Sequence, residues 1–257
     1  MRSLLEQLPF ALTDEQRQAA DDILADMAAP RVMGRLLLGD VGTGKTVVAA
    51  LALAAVADSA TQAAMMAPTS VLARQYAEKL GPLLDAAGIS WGLVTGATAP
   101  EERAALAHGV ADGTVTVVFG TTAVLSDDMD FSRLTLVVID EQHRFGVGQR
   151  TRLRRKGAAA DLLAMTATPI PRTLALSVYG DMSCSRICHR PCPGASIETH
   201  CIAPESLDLA FGAIREAVAV GHQAYVVCPL VDERDDGSEL DDVPERERSG
   251  ATGAHAA

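Results

Sequence analysis

Leu36-Leu37-Leu38-Gly39-Asp40-Val41-Gly42-Thr43-Gly44-Lys45-Thr46 joins a short apolar run to a glycine-rich turn that ends in lysine and threonine. The run predicts a buried strand over 35–38, and the apolar residues after Thr46 predict a helix over 45–57. The turn between them has the pattern G-x-x-x-x-G-K-T, which needs that strand and that helix on its two sides. Glycines let backbone N–H groups approach phosphate oxygens, and the helix N-terminus adds a favourable dipole. Residues 39–46 therefore predict a nucleotide-binding phosphate loop made of Gly39, Asp40, Val41, Gly42, Thr43, Gly44, Lys45 and Thr46. Lys45 is expected to reach the outer phosphates of ATP, and the Thr46 hydroxyl to ligate Mg2+.

Such a loop needs a carboxylate from a second strand to hold the metal. Asp140 closes Leu134-Thr135-Leu136-Val137-Val138-Ile139, the most apolar strand candidate, and Glu141 follows it. Asp140 is the expected Mg2+ partner, and Glu141 the expected general base for an attacking water. A guanine-reading Asn-Lys-x-Asp is missing from the sequence, and none of the three lysines (Lys45, Lys79, Lys156) sits in such a setting. That excludes a conventional GTPase.

Outward from the loop, short apolar strands alternate with amphipathic segments. Strands are expected at 35–38, 63–67, 91–94, 115–119, 135–139 and 162–166, and helices at 45–57, 70–87 and 100–111. This alternation predicts an α/β fold with a parallel sheet covered by helices on both faces. Thr13 and Gln16 have the spacing of a capping box for a helix running to about Met27. Residues 181–196, rich in Cys, Pro and Arg, read as a linker. A strand at 197–202, a helix at 205–220 and a strand at 223–228 then begin a second α/β unit within 197–231. The stretch 232–257 lacks periodicity and is expected to be disordered.

The 257 residues have 48% hydrophobic content, 21% charge and few aromatics, so an aliphatic core is expected. The net charge of −11 argues against nucleic-acid binding by bulk electrostatics. It is unevenly spread. Residues 232–248 hold nine acids against three arginines, whereas Arg144, Arg150, Arg152, Arg154, Arg155 and Lys156 form a basic cluster. Five cysteines do not make a disulfide framework in a chain of this length. Cys184, Cys188 and Cys192, near His189, His200 and Cys201, raise a metal site, but without the paired spacers of structural zinc. Met1–Phe10 lacks a basic region followed by a long apolar run, and no membrane-length apolar stretch follows. A cytoplasmic protein is expected.

Asp140-Glu141-Gln142-His143 resembles the DExH box of superfamily 2 helicases and translocases. Further strings resemble that superfamily's motifs in the right order. They are Ala67-Pro68-Thr69 with Leu72-Ala73-Arg74-Gln75, Thr95-Gly96, Gly120-Thr121-Thr122 and Thr166-Ala167-Thr168-Pro169. The resemblance implies a RecA-like lobe in which Pro68, Thr69, Arg74, Thr95, Gly96, Gly120 and Thr121 approach DNA. It also implies that Thr166, Ala167, Thr168 and Arg172 couple DNA grip to nucleotide state, with His143 relaying hydrolysis to them. Small hydroxylated residues can meet phosphates without basic side chains, which reconciles an acidic chain with DNA.

Longer strings narrow the resemblance to the RecG family of bacterial ATP-dependent DNA helicases. They are Leu8-Pro9-Phe10-Ala11-Leu12-Thr13, residues 140–147, residues 166–176 and Gln223-Ala224-Tyr225-Val226-Val227-Cys228-Pro229-Leu230. The transcription-repair coupling translocases share part of this pattern. The family implies action on branched or forked DNA in fork rescue, recombination and repair, by a monomer. It makes Phe10 and Gln16 candidates for adenine contacts, with a staple residue and a capping side chain as alternatives. It also implies a preceding wedge domain and a completed second lobe with an arginine motif, neither of which these residues contain. The expectation is that this chain alone binds ATP and hydrolyses it poorly, either as an incomplete motor or as a nucleotide-binding remnant.

Overall fold

The computed structural model describes residues 2–140, 156, 160–167, 182–191 and 198–228. The chain divides into two compact units, residues 1–193 and 194–257.

In the first unit a capping box starts α2 (Asp14–Met27): Thr13 Oγ1 accepts from Gln16 N, and Gln16 Oε1 accepts from Thr13 N. A short helix, α1 (Arg2–Gln7), precedes it and buries Leu4. Then come β1 (Gly34–Gly39), α3 (Lys45–Asp58), β2 (Gln62–Met66), α4 (Ser70–Ala86), β3 (Trp91–Val94), α5 (Pro100–Ala111), β4 (Val117–Gly120), a 3-10 turn (Thr122–Leu125), β5 (Leu134–Asp140), β6 (Asp161–Thr166) and β7 (Ser183–Ile187). The six strands and three helices expected from the alternation, and the helix expected from the capping box, are all present, within a few residues of the expected bounds.

The seven strands form one sheet in the order β3-β4-β2-β5-β6-β1-β7, and every pair is parallel. Side chains alternate between its faces because successive Cβ atoms of a strand point opposite ways. Met65, Phe119, Leu136, Val138 and Leu163 enter one core with Val48, Leu51 and Leu53 of α3. Ala64, Met66, Val118, Val137 and Ile139 enter the other, with Val110, Val124 and Met129. Helix α3 has hydrophobic residues buried nearly all round, which suits a helix enclosed by its neighbours. Trp91 and Phe119 pack edge to face with ring centroids 5.8 Å apart.

β7 lies inside the stretch read as a linker, 181–196. It was hidden because it is an edge strand with a mixed sequence, Ser-Cys-Ser-Arg-Ile, and Cys184 and Arg186 face solvent. What seats it is polar. Arg35 of β1, only 9% exposed, donates to Asp26 of α2 at 2.7 and 2.9 Å and to Ser185 Oγ at 2.7 Å. Ser185 in turn donates to Asp22 at 2.8 Å.

In the second unit, a 3-10 turn (Pro204–Ser206) leads into α6 (Leu207–Ala219), in place of the single helix expected at 205–220. The strands expected at 197–202 and 223–228 are corrected: the described residues 198–202 and 223–228 form no strand. Both stretches are short, and a strand forms only where a neighbour takes its backbone hydrogen bonds. The tail expected to be disordered, 232–257, lies outside the described residues. Among the described residues no helix is long and apolar enough to cross a membrane.

Candidate functional site

Parallel pairing brings every strand's C-terminal end to one edge, where ligands bind in open α/β sheets. Register makes this concrete. Met165 of β6 pairs with Leu37 of β1 on one side and with Asp140 of β5 on the other, and Thr166 pairs with Leu38. Gly39, Thr166 and Asp140 thus lie at adjoining strand ends although they are far apart in sequence. Met66 of β2 pairs with Ile139 and Gly120, and Gly120 pairs with Val94. This carries the 67–69, 95–96 and 120–121 segments to the same edge.

The loop 39–46 turns from β1 into α3 through Gly42 at φ 85° and Gly44 at φ 87°, values that side-chain-bearing residues rarely adopt. Thr43 is fully buried, its hydroxyl donating to Asp40 O at 2.8 Å. Lys45 Nζ donates to Gly39 O at 2.6 Å and Asp40 O at 3.1 Å, so its ammonium is held at the loop's mouth. Thr46 is half-buried in the first turn of α3. A left-handed glycine turn, a tethered lysine and a helix N-terminus form a cradle that fits a polyphosphate.

Gln16 is 1% exposed, and its Nε2 donates to Thr43 O at 2.8 Å. It is therefore the capping side chain and a strut under the loop at once. Phe10, by contrast, is half exposed.

Asp140 is nearly buried, and the Tyr76 hydroxyl of α4 donates to its carboxylate. Nothing in the sequence marks Tyr76, because only the packing of α4 aims it at β5. Thr166 is 1% exposed at the end of β6 beside Ala167. Glu141, His143, Thr168 and Arg172 lie outside the described residues.

The remaining threonines hold turns. Thr69 Oγ1 accepts from Leu72 N and caps α4, with Pro68 before it and Arg74 exposed one turn on. Thr95 Oγ1 accepts from Ala97 N, and the Thr98 hydroxyl accepts from Thr95 N at 2.9 Å, leaving Gly96 exposed at the tip. Thr121 caps the 3-10 turn after buried Gly120. These hydroxyls set the backbone of each loop.

The segment after β7 also reaches the loop, which the cysteine pattern obscured. Glu15 accepts from the backbone N–H groups of Cys188 and His189 at 2.8 and 2.9 Å, and its other oxygen lies 2.8 Å from His189 Nδ1. Those His189 contacts, the backbone one foremost, hold the Glu15 carboxyl below its ordinary value. Arg190 pairs with Asp40 at 2.9 Å. Among the described residues no group of three His, Cys, Asp or Glu is placed to hold a metal ion. Lys156, the one described member of the basic cluster, donates to Met129 O.

Fold and site together define a phosphate-loop nucleotide-binding lobe. The DEAD/DEAH box helicase family model matches residues 13–176, and the chain belongs to that family. It is 44% identical over 231 residues to an ATP-dependent DNA helicase RecG of Bacillus subtilis, covering 90% of this chain and 34% of the relative. It is 41% identical to one of Staphylococcus epidermidis, covering 95% of this chain and 36% of the relative. The chain thus spans about a third of the length of the curated relatives it matches. A solved structure of RecG bound to a three-way DNA junction superposes with a TM-score of 0.76 at 38% identity, over 90% of this chain and 31% of that one. The helicase MrfA bound to DNA and AMPPNP shares the fold, with a TM-score of 0.63 at 18% identity over 84% of this chain and 34% of its own.

Proposed function

We propose that residues 1–180 are the ATP-binding motor lobe of a RecG-type DNA helicase acting on branched or forked DNA in fork rescue, recombination and repair. β7 extends that lobe's sheet beyond the expected bound at 180, and the start of a second lobe follows at 197–231. The observation that carries the reading is the alignment of Gly39, Thr166 and Asp140 at adjoining strand ends, with Lys45 tethered at the loop mouth.

In this reading Lys45 exchanges its two carbonyl partners for phosphate oxygens of ATP, and the loop N–H groups hold the inner phosphates. Thr46 and Asp140 would hold Mg2+. When bound, the ion neutralises charge developing on the phosphates. Glu141 orients and deprotonates the attacking water, and His143 relays the outcome towards Thr166, Ala167, Thr168 and Arg172. The exposed ring of Phe10 stacks on adenine. Gln16 keeps one donor hydrogen and one acceptor lone pair for the base edge while supporting the loop. Pro68, Thr69, Arg74, Thr95, Gly96, Gly120 and Thr121 present backbone N–H groups and short side chains to DNA phosphates. A cytoplasmic monomer fits this role.

The test is phosphate release by the chain with and without forked DNA, beside direct MgATP binding, using Lys45→Ala as control. Turnover stimulated by forked DNA and lost in the variant supports the helicase reading. MgATP binding without DNA-stimulated turnover supports a nucleotide-binding lobe instead, and no MgATP binding at all overturns both.

A further inference from the structure

The phosphate loop carries an acid where an anion is to bind. Asp40 follows the first glycine of the loop. Its Oδ1 accepts the Val41 N–H at 2.8 Å, which takes one loop donor away from any incoming phosphate. Its charge also acts on Lys45, the loop's own cation. A fixed negative charge at this place opposes a polyanion, and it competes with phosphate for the lysine.

Arg190 answers that charge. β7 runs parallel to β1 with Ile187 opposite Gly39, so the residues just past each strand end meet. Arg190 Nη2 donates to Asp40 Oδ2 at 2.9 Å, and its Cδ and Nε lie 3.8 Å from where a Cβ on Gly42 would stand. The guanidinium therefore lies along the outside of the loop. The backbone leading to it is pinned, because Glu15 accepts the N–H groups of Cys188 and His189. Glu15 adjoins Gln16, which props the loop from beneath at Thr43. The Val41 N–H, then the Arg190 guanidinium, keeps the Asp40 carboxyl below its ordinary value.

We infer that Arg190 is a positioning residue of the nucleotide site: it neutralises Asp40 and holds it aside, leaving Lys45 and the loop N–H groups to the phosphates. This rests on the reading of the loop as an ATP site. Arg190 acts through Asp40, and the two substitutions must therefore be non-additive.

The experiment measures MgATP dissociation constants at low and high salt for the wild-type chain, Arg190→Ala, Arg190→Lys, Asp40→Asn and the Asp40→Asn/Arg190→Ala pair. Arg190→Ala is expected to weaken binding about two- to fivefold at low salt, as for an exposed ion pair, and less at high salt. Arg190→Lys should recover most of it. In the Asp40→Asn background the Arg190→Ala change should cost nothing, and Asp40→Asn alone should tighten affinity even if Arg190→Ala folds poorly. Equal losses from Arg190→Ala in both backgrounds, or weaker binding in Asp40→Asn alone, overturn the inference. A wild-type chain that binds no MgATP overturns the ATP-site reading on which it depends.

Discussion

Gln16 Nε2 reaches from the first turn of α2 to the carbonyl of Thr43 inside the phosphate loop, at 2.8 Å, while its Oε1 caps the same helix at Thr13. One amide thus couples a helix start to the conformation of a ligand-binding loop.

Replacing Gln16 by Ala removes both bonds and leaves a buried carbonyl unpaired. The expected loss is about 2 kcal/mol of stability, read from the urea midpoint at constant slope. MgATP affinity should fall in parallel. A variant that melts like wild type yet loses affinity would mean that Gln16 serves the base and not the loop.

Gly44 stands against the same amide. A Cβ there would come within 2.3 Å of Gln16 Nε2, at a φ of 87°. Gly44→Ala should cost about 1–2 kcal/mol for the left-handed backbone alone, with the Gln16 contact broken in addition. Calorimetry should show a lowered melting temperature, and MgATP should no longer raise it. Stabilisation by nucleotide equal to wild type would refute this account of the loop.

Tyr76 orients the carboxylate of Asp140. If Asp140 helps to hold Mg2+, chelation by EDTA should weaken ATP binding by the wild-type chain, and Asp140→Ala should need more Mg2+ than either wild type or Tyr76→Phe for the same affinity. Tyr76→Phe should need about tenfold more Mg2+ for the same ATP affinity, as expected when a residue behind a metal ligand is lost. A Mg2+ titration of ATP binding distinguishes the three chains.

Asp161 opens β6, and its carboxylate accepts the Met33 N–H at 2.6 Å. Burial pushes its pKa up from 3.8, with Asp26 adding to the rise and the Met33 bond opposing it. A carboxyl with a raised folded-state pKa binds protons more tightly when folded. Its ionisation therefore removes stability as pH climbs from 3.8 through that higher value. Asp161→Asn keeps an acceptor for Met33 and should be as stable as wild type or more so at neutral pH. Melting temperatures from pH 3.5 to 7 should show the difference growing with pH, and a variant losing ground as pH rises would contradict it.

Much of this was legible in the sequence because it depends on residues close together in the chain. Leu36-Leu37-Leu38 followed by the glycine turn carries its own strand, loop and helix. Leu134–Asp140 announces a strand buried on both faces, because a central strand of a parallel sheet is apolar throughout. Edge strand β7 gave no such signal: Arg186 and Cys184 face solvent, and Arg35, Asp22, Asp26 and Ser185 hold the strand by polar bonds. The stretches 197–202 and 223–228 misled for the opposite reason, holding β-branched and aromatic residues that favour strands while forming none.

By itself the sequence determined the phosphate loop, the alternation that makes a parallel sheet, and the order of the motifs, since each is set by neighbours along the chain. Only the tertiary structure decided which distant groups share the loop. Gln16 meets Thr43 across 27 residues, Tyr76 meets Asp140 across 64, and Arg190 meets Asp40 across 150. The physical reason is the parallel register, which gathers strand ends at one edge whatever their spacing, and the packing of α2, α4 and β7 against it. Short-range pattern can name the residues of such an edge, but pairing within it is settled by strand order.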